Sequence, residues 1–219
     1  MTTEHDPWEP TNRITFRFND ILDETFFEPI AVGWDSLTWE YLRLSIDKAM
    51  LNLRFPVRLV GNLTQGELRA TGTETSRFVI NSTVGVLGFF DPAGHWGIEP
   101  RDADFGQSLG IWGIPAGPYL VLPVFGPSNP RDAFGFAVDT VLSAGPSLVS
   151  PVAGLVITGV NFVNTRALLL AAVRDAKHIS LDYYVFMRNA FVQRRNRQII
   201  GEIPEEEIDD DFYDIEDDE

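Results

Sequence analysis

The chain has no cysteine and only three histidines among its 219 residues. The first absence excludes a disulfide framework, a thiolate metal centre and a cysteine nucleophile. The second leaves little for a histidine-rich metal site, and His5, His95 and His178 are too dispersed for a constellation such as H-E-x-x-H. Bases are scarce as well. Seventeen Lys and Arg stand against 32 Asp and Glu, a formal charge of −15, which argues against a protein that wraps nucleic acid with clustered cations. Neither a G-x-x-x-x-G-K-[ST] loop nor a G-x-G-x-x-G is present, so nucleotide chemistry has no support. The opening Met-Thr-Thr-Glu-His-Asp-Pro lacks the charged and apolar regions of a secretory signal. Either the protein is cytoplasmic, or a signal and any lipidated cysteine behind it have been removed; the lack of cysteine agrees with both.

The acidity is local. Twelve of the acids fall in residues 202–219, which hold no base, so residues 1–201 carry 20 acids against 17 bases and a charge near −3. The chain thus reads as one body, 1–201, and a compositionally disordered acidic tail, 202–219. Within the body, helical spacing dominates. Ile14, Phe18, Ile21, Leu22 and Phe26 share a face behind a Thr11 cap; Leu42, Ile46, Ala49 and Leu53 define a run from Thr38, after a break at Pro29 and Gly33. Pro56 and Gly61 divide short helical pieces. A further helix is expected over Glu67 to Val84, and another over Arg166 to Ile200, whose terminal Arg194, Arg195 and Arg197 suit the carbonyl end. No strand alternation of any length appears, and the fold class is all-α.

Two runs carry no charge, Phe105 to Asn129 and Thr140 to Thr165. Each has the roughly 20 residues needed to cross a bilayer, but Gly and Pro recur every few positions and would leave backbone groups unpaired in hydrocarbon. Short helices and re-entrant hairpins in one leaflet fit better, or the core of a soluble helical domain. Trp8, Trp34, Trp39, Trp96 and Trp112 sit beside expected helix ends or turns, where either a membrane boundary or an ordinary core and surface would place them. Gly106-Gln107-Ser108-Leu109-Gly110 matches the nucleophile-elbow pattern, and Asp139 or Asp175 with His178 follow it in triad order. The residues entering it, Glu99 to Phe105, cannot form the buried strand an elbow needs, so a Gly-flanked helix turn packed on a neighbour is the ordinary alternative. Asn62-Leu63-Thr64 and Asn81-Ser82-Thr83 match glycosylation acceptors but fall inside expected helices.

Several segments coincide, in order and spacing, with one family. Asp6-Pro7-Trp8-Glu9-Pro10-Thr11-Asn12-Arg13, Phe18-Asn19-Asp20, Asn62-Leu63-Thr64-Gln65-Gly66, Arg77 to Gly85, Phe90-Asp91-Pro92-Ala93, Asp104 to Gly110 and Gly113 to Pro123 resemble the MlaA/VacJ lipoproteins over about residues 6–200. The resemblance implies an outer-membrane lipoprotein of Gram-negative bacteria, lipid-anchored on the periplasmic leaflet. It implies a ring of amphipathic and re-entrant helices around a central channel, associated with trimeric porins. Through it, phospholipid misplaced in the outer leaflet passes to a periplasmic carrier, MlaC, so that lipid asymmetry is kept without cofactor, nucleic acid or bond cleavage. The family's channel hairpin matches Gly113, Ile114, Pro115, Ala116, Gly117 and Pro118 here. Its channel-adjacent N-terminal helix matches Thr11 to Glu28, including Phe18 and Asn19. The position of Ser108 is commonly threonine in that family, which an esterase elbow would not tolerate. Two other functions remain in view: a phospholipase-like hydrolase using Ser108, and a porin-tethering scaffold without transport.

Overall fold

The computed structural model describes residues 6–200; His5 and the acidic tail 202–219 lie outside them. Helix α1 (Glu9–Leu22) opens with Pro10 in its first two positions and Glu9 in its first turn, and its cap residue Trp8 makes no side-chain bond. Proline's missing donor is not needed there and its fixed φ suits the first turn. The helix therefore begins ahead of Thr11, which lies inside it and is not the cap. The expected break at Pro29 and Gly33 is also absent. The chain instead passes through a π-helical turn, Asp23–Phe27, into α2 (Glu28–Leu37). Pro29 has no N–H and its ring crowds the carbonyl four residues back, and the widened turn before it accommodates that crowding.

Helix α3 (Glu40–Leu53) and helix α5 (Leu68–Thr83) fall within two residues of expectation, and α4 (Phe55–Thr64) runs between them through Gly61. A short α6 (Pro92–His95) leads to α7 (Phe105–Ile111), capped by Asp104, whose carboxylate accepts the Gln107 N–H at 2.7 Å. The first uncharged run continues from α7 into a largely exposed loop, Gly113 to Pro118, and then an antiparallel hairpin, β1 (Leu120–Leu122) with β2 (Gly126–Ser128), Leu120 opposite Ser128. Three-residue strands are too short to show alternation, which is why none was expected.

The second uncharged run closes α8 (Pro130–Leu142), forms α9 (Gly145–Val149) and makes most of α10 (Pro151–Leu168). Helix α10 bends by 51° into α11 (Leu170–Ile179), and α12 (Tyr183–Ile200) ends the described chain. The single helix expected over Arg166 to Ile200 is thus the end of one helix and two more. Among the described residues no single helix is long and apolar enough to cross a membrane.

These elements pack in a closed circuit. α1 lies on β1, β2 on α12, α12 on α7, α7 on α4, α4 on α3, α3 on α10 and α10 on α2, which runs back into α1. Helix α8 crosses α7 backbone to backbone at Gly135, where a Cβ would collide with the Gly106 backbone. The result is an all-α ring-like domain with one minimal hairpin.

Burial in this ring is inverted. Eleven apolar residues are buried, five of them alanines, against thirteen polar or charged ones, while forty large apolar side chains are exposed among the described residues. The interior is held by paired polar groups, because an unpaired buried charge costs several kcal/mol. Glu74, fully buried, accepts Arg58 at 2.6 Å and the Arg101 N–H at 2.6 Å. Asp91 receives Arg77 and Asn81. Asn164, also fully buried, accepts Trp34 Nε1 from α2 and donates to the Arg43 carbonyl of α3. A zipper of acids on the first helical arm meets bases on α10 and α11: Asp23 with Arg166 at 2.7 Å, Glu28 with Arg174 at 2.7 Å, Asp20 with Lys177 at 2.6 Å.

Candidate functional site

Between the hairpin, α8, α12 and the segment entering α7 lies a cavity of about 310 Å³. Its apolar wall is Leu122, Phe125, Phe136 and Phe191; Arg54, Arg194, Arg195, Asp102, Asp104 and Asp139 supply charges of both signs. That volume is at the bottom of the roughly 300–1,000 Å³ range of small-ligand sites, enough for a polar headgroup but not for two acyl chains. A smaller cleft of about 100 Å³ adjoins it, sharing Ser128, Phe191 and Arg195.

Arg195 is the fixed point of this region. It binds Asp104 through two nitrogens, at 2.6 and 2.7 Å, and Asp132 through Nε at 2.8 Å. Burial opposes its charge, but the two carboxylates raise its pKa. Burial likewise pushes the Asp132 carboxyl up, yet hydrogen bonds from Arg195 and Arg131 hold it below the usual carboxylate range. Asp139 differs. Burial pushes it up to about 6 and Asp104 adds to the rise; the Phe105 N–H, at 3.2 Å, and the charges of Arg54 and Arg195 oppose it only in part.

Helix α1 reaches the hairpin through two asparagines. Asn12 Nδ2 donates to the Tyr119 carbonyl at 3.0 Å while its Oδ1 accepts the Val121 N–H at 3.0 Å; Asn19 does the same for the Leu122 carbonyl, 2.9 Å, and the Val124 N–H, 2.7 Å. Seven residues apart, they share one face of the helix. The two amides thus tie α1 to the start of β1 and to the turn that follows it. Phe18 points elsewhere and is exposed.

Gly113 and Gly117 have φ of +84° and +77°, backbone that L side chains adopt at a cost. The loop they bound is tethered at its start, Gly113 N–H to Gly110 O at 2.9 Å and Ile114 N–H to Leu109 O at 3.0 Å, and lightly beyond, where Arg131 reaches the Ile114 and Ala116 carbonyls, both at 3.4 Å. Ala116 and Gly117 line the smaller cleft, not the larger cavity; Pro115 is exposed and Pro118 half-buried. In the sequence, Asn12 stands only within a resembling segment, Arg194 only as a helix-end cation and Asp139 only as a triad candidate, while Arg54 has no assigned role. Only the seven-residue spacing of Asn12 and Asn19 carried a readable signal.

The Ser108 hydroxyl is fully buried among Thr64, Gln65 and the carbonyls of Gly61 and Asp104. His178 and Asp175 belong to α11, which packs on α2, α10 and α12, whereas α7 packs on α4, α8 and α12. Ser108 is the packed helix turn of the ordinary reading. Asn62 and Asn81 are buried inside helices, bonded to carbonyls of Arg58 and Arg101 and to Asp91 respectively. Four of the five tryptophans, Trp8, Trp39, Trp96 and Trp112, are exposed.

A closed helical circuit, apolar outside and charged within, defines a class of protein made for apolar surroundings around a wet interior. The family model described as MlaA lipoprotein matches residues 4–198, and the chain belongs to that family. The intermembrane phospholipid transport system lipoprotein MlaA of Haemophilus influenzae is 30% identical over 204 residues, 88% of this chain and 78% of that protein. Its namesake in Escherichia coli K12 is 30% identical over 197 residues, covering 87% and 77%. An uncharacterized protein of Rickettsia bellii is 33% identical, covering 89% of this chain and 77% of its own length. A solved structure from work on the structural basis for maintenance of bacterial outer membrane lipid asymmetry superposes with a TM-score of 0.77 at 29% identity, covering 90% of this chain and all of that one.

Proposed function

We propose that this protein is a passive phospholipid channel in the inner leaflet of the outer membrane. It takes phospholipid misplaced in the outer leaflet and hands it to a periplasmic carrier of the MlaC kind, so that lipid asymmetry is maintained. The observation that carries this reading is the inversion of burial around an amphipathic cavity. Acyl chains favour hydrocarbon by about 0.8 kcal/mol per methylene, while a charged headgroup is expensive there. A ring whose exterior is apolar and whose lumen presents Arg54, Arg194, Asp102 and Asp139 beside Phe125 and Phe136 meets both needs. The transport-system names of the Haemophilus and Escherichia relatives support the same reading. The Gly113–Pro118 loop, lightly tethered beyond its start and beside the smaller cleft, is the gate, and α1 holds the adjoining hairpin through Asn19. The body sits beside trimeric porins, and in the native full-length protein a lipidated cysteine absent from this chain anchors it to the leaflet.

The test is complementation. Cells lacking the protein should accumulate phospholipid in the outer leaflet, and both the wild-type chain and Ser108→Ala should restore asymmetry. Fatty acid released from phospholipid by the purified protein, and abolished by Ser108→Ala, would reject the channel in favour of a hydrolase. Lumen substitutions that leave asymmetry intact would favour a porin-tethering scaffold.

A further inference from the structure

We propose that the lumen selects phospholipids with a zwitterionic headgroup, binding the phosphate with Arg54 and Arg194 and the ammonium with Asp102 and Asp139. The inference rests on the channel reading of the same cavity and adds a substrate class to it.

The charges lining the cavity fall into two sets. Arg195 is committed to Asp104 and Asp132, and Arg131 adds a 2.9 Å bond to Asp132, so these four neutralise one another and anchor α12 to α7 and α8. The other four are different. Arg54, Arg194, Asp102 and Asp139 line the same cavity, yet none of them makes an ion pair among the described residues. The one hydrogen bond to Asp139 comes from the Phe105 N–H. Arg54 is near enough for its charge to act on Asp139 but is not bonded to it.

Arg54, Arg194 and Asp102 are solvent-exposed members of the cavity lining, whereas Asp139 is half-buried, where a carboxylate without a cation is costly. None of the four forms an ion pair with another among the described residues, and burial, the main cause, pushes the Asp139 carboxyl up to about 6. A ligand with a phosphate and an ammonium a few bonds apart satisfies both ends at once. Arginine is the better partner for the phosphate, through bidentate N–H donors. A headgroup with only a phosphate would engage the arginines but would bring its negative charge against Asp102 and Asp139 and leave both unpaired. Leu122, Phe125 and Phe136 then face the glycerol and the first methylenes.

Native mass spectrometry of the full chain in neutral detergent, equilibrated with equimolar dioleoyl phosphatidylethanolamine and dioleoyl phosphatidylglycerol, reads the preference directly. The ethanolamine lipid should be bound over the glycerol lipid by about fivefold, the factor of one screened ion pair. In Asp102→Asn/Asp139→Asn, which keeps the acceptor for the Phe105 N–H, the ratio should fall to about one by gain of the glycerol lipid. Arg54→Gln/Arg194→Gln should weaken both lipids alike. Melting curves establish that each variant is folded. Equal binding of the two lipids by the wild type, or a preference unmoved by the aspartate substitutions, overturns the selectivity while leaving the channel in place. Binding of neither lipid rejects the channel reading and this inference together.

Discussion

Asn12 and Asn19 clamp the hairpin to α1, Asn12 at the start of β1 and Asn19 at the turn after it, each presenting one donor and one acceptor to the backbone. Replacing either by Ala strands a carbonyl and an N–H. Asn12 is 1% exposed, so Asn12→Ala should cost about 2–3 kcal/mol of stability, the upper part of the range for an unsatisfied buried pair. Asn19→Ala should cost about 1 kcal/mol, because Val124 is exposed and water can replace one bond. Denaturant unfolding in detergent checks the order of the two; equal costs would contradict the clamp. The resemblance marked Asn19 in the sequence, but its partners lie 103 and 105 residues away, and no local pattern names them. Arg195 shows the same limit. From sequence it was one of several cations suited to a helix end, whereas its carboxylate partners are 91 and 63 residues distant.

Asp139 allows a prediction with a definite sign. Its carboxyl holds a proton more tightly folded, with a pKa of about 6, than its usual 3.8. Between those pH values the folded state binds more protons, so this group's contribution to stability falls as pH rises through the window and is constant above it. With solvent screening of a half-buried group, the loss is about 1 kcal/mol. Asp139→Asn should therefore be more stable than wild type at pH 7 by about that amount and show no gain near pH 4. A variant less stable at pH 7 would mean that Asp139 is paired after all. Stabilisation together with lost headgroup preference would mark a charge kept for binding.

At the scale of elements, the Gly113–Pro118 loop and the hairpin after it show why breaker-rich sequence was legible in class but not in detail. Glycines and prolines announced turns, but Leu120–Leu122 is too short for its strand to be seen, and its pairing depends on α1. Gly113 also sharpens the gating test. Its φ of +84° means that Gly113→Val costs about 1–2 kcal/mol from backbone alone, whether or not the loop moves. Gly113→Asn is the matched control, since asparagine tolerates left-handed backbone. If the loop gates the lumen, the Val variant should accumulate outer-leaflet phospholipid and become detergent-sensitive, while the Asn variant keeps near-normal asymmetry. Unaltered asymmetry and detergent resistance in the Val variant would remove the gating role.

For the whole molecule, the sequence already held the essential tension: charged helices alternating with uncharged, breaker-rich runs that could not span. What it could not show was the direction of the faces. Val152, Leu155 and Val156 read equally well as the core of a soluble domain, and only the closed circuit turns them outward, with Leu148 84% and Leu155 75% exposed. The two environments price a charge there very differently. At an exposed position in water, Leu155→Asp should change stability by no more than about 0.5 kcal/mol. In hydrocarbon, a carboxylate at a helix centre costs roughly 2.5–3.5 kcal/mol. Leu155→Asp and Leu148→Asp should thus leave detergent unfolding nearly unchanged, yet together reduce flotation with phospholipid vesicles by more than about tenfold, even if each costs only half that amount. The acid–base zipper between the first arm and α10–α11 is predicted to stay intact, because neither leucine is one of its members. Undiminished flotation of the double variant would place this face in water and return the second uncharged run to an ordinary soluble surface, whereas a loss of folding in detergent would make it a core.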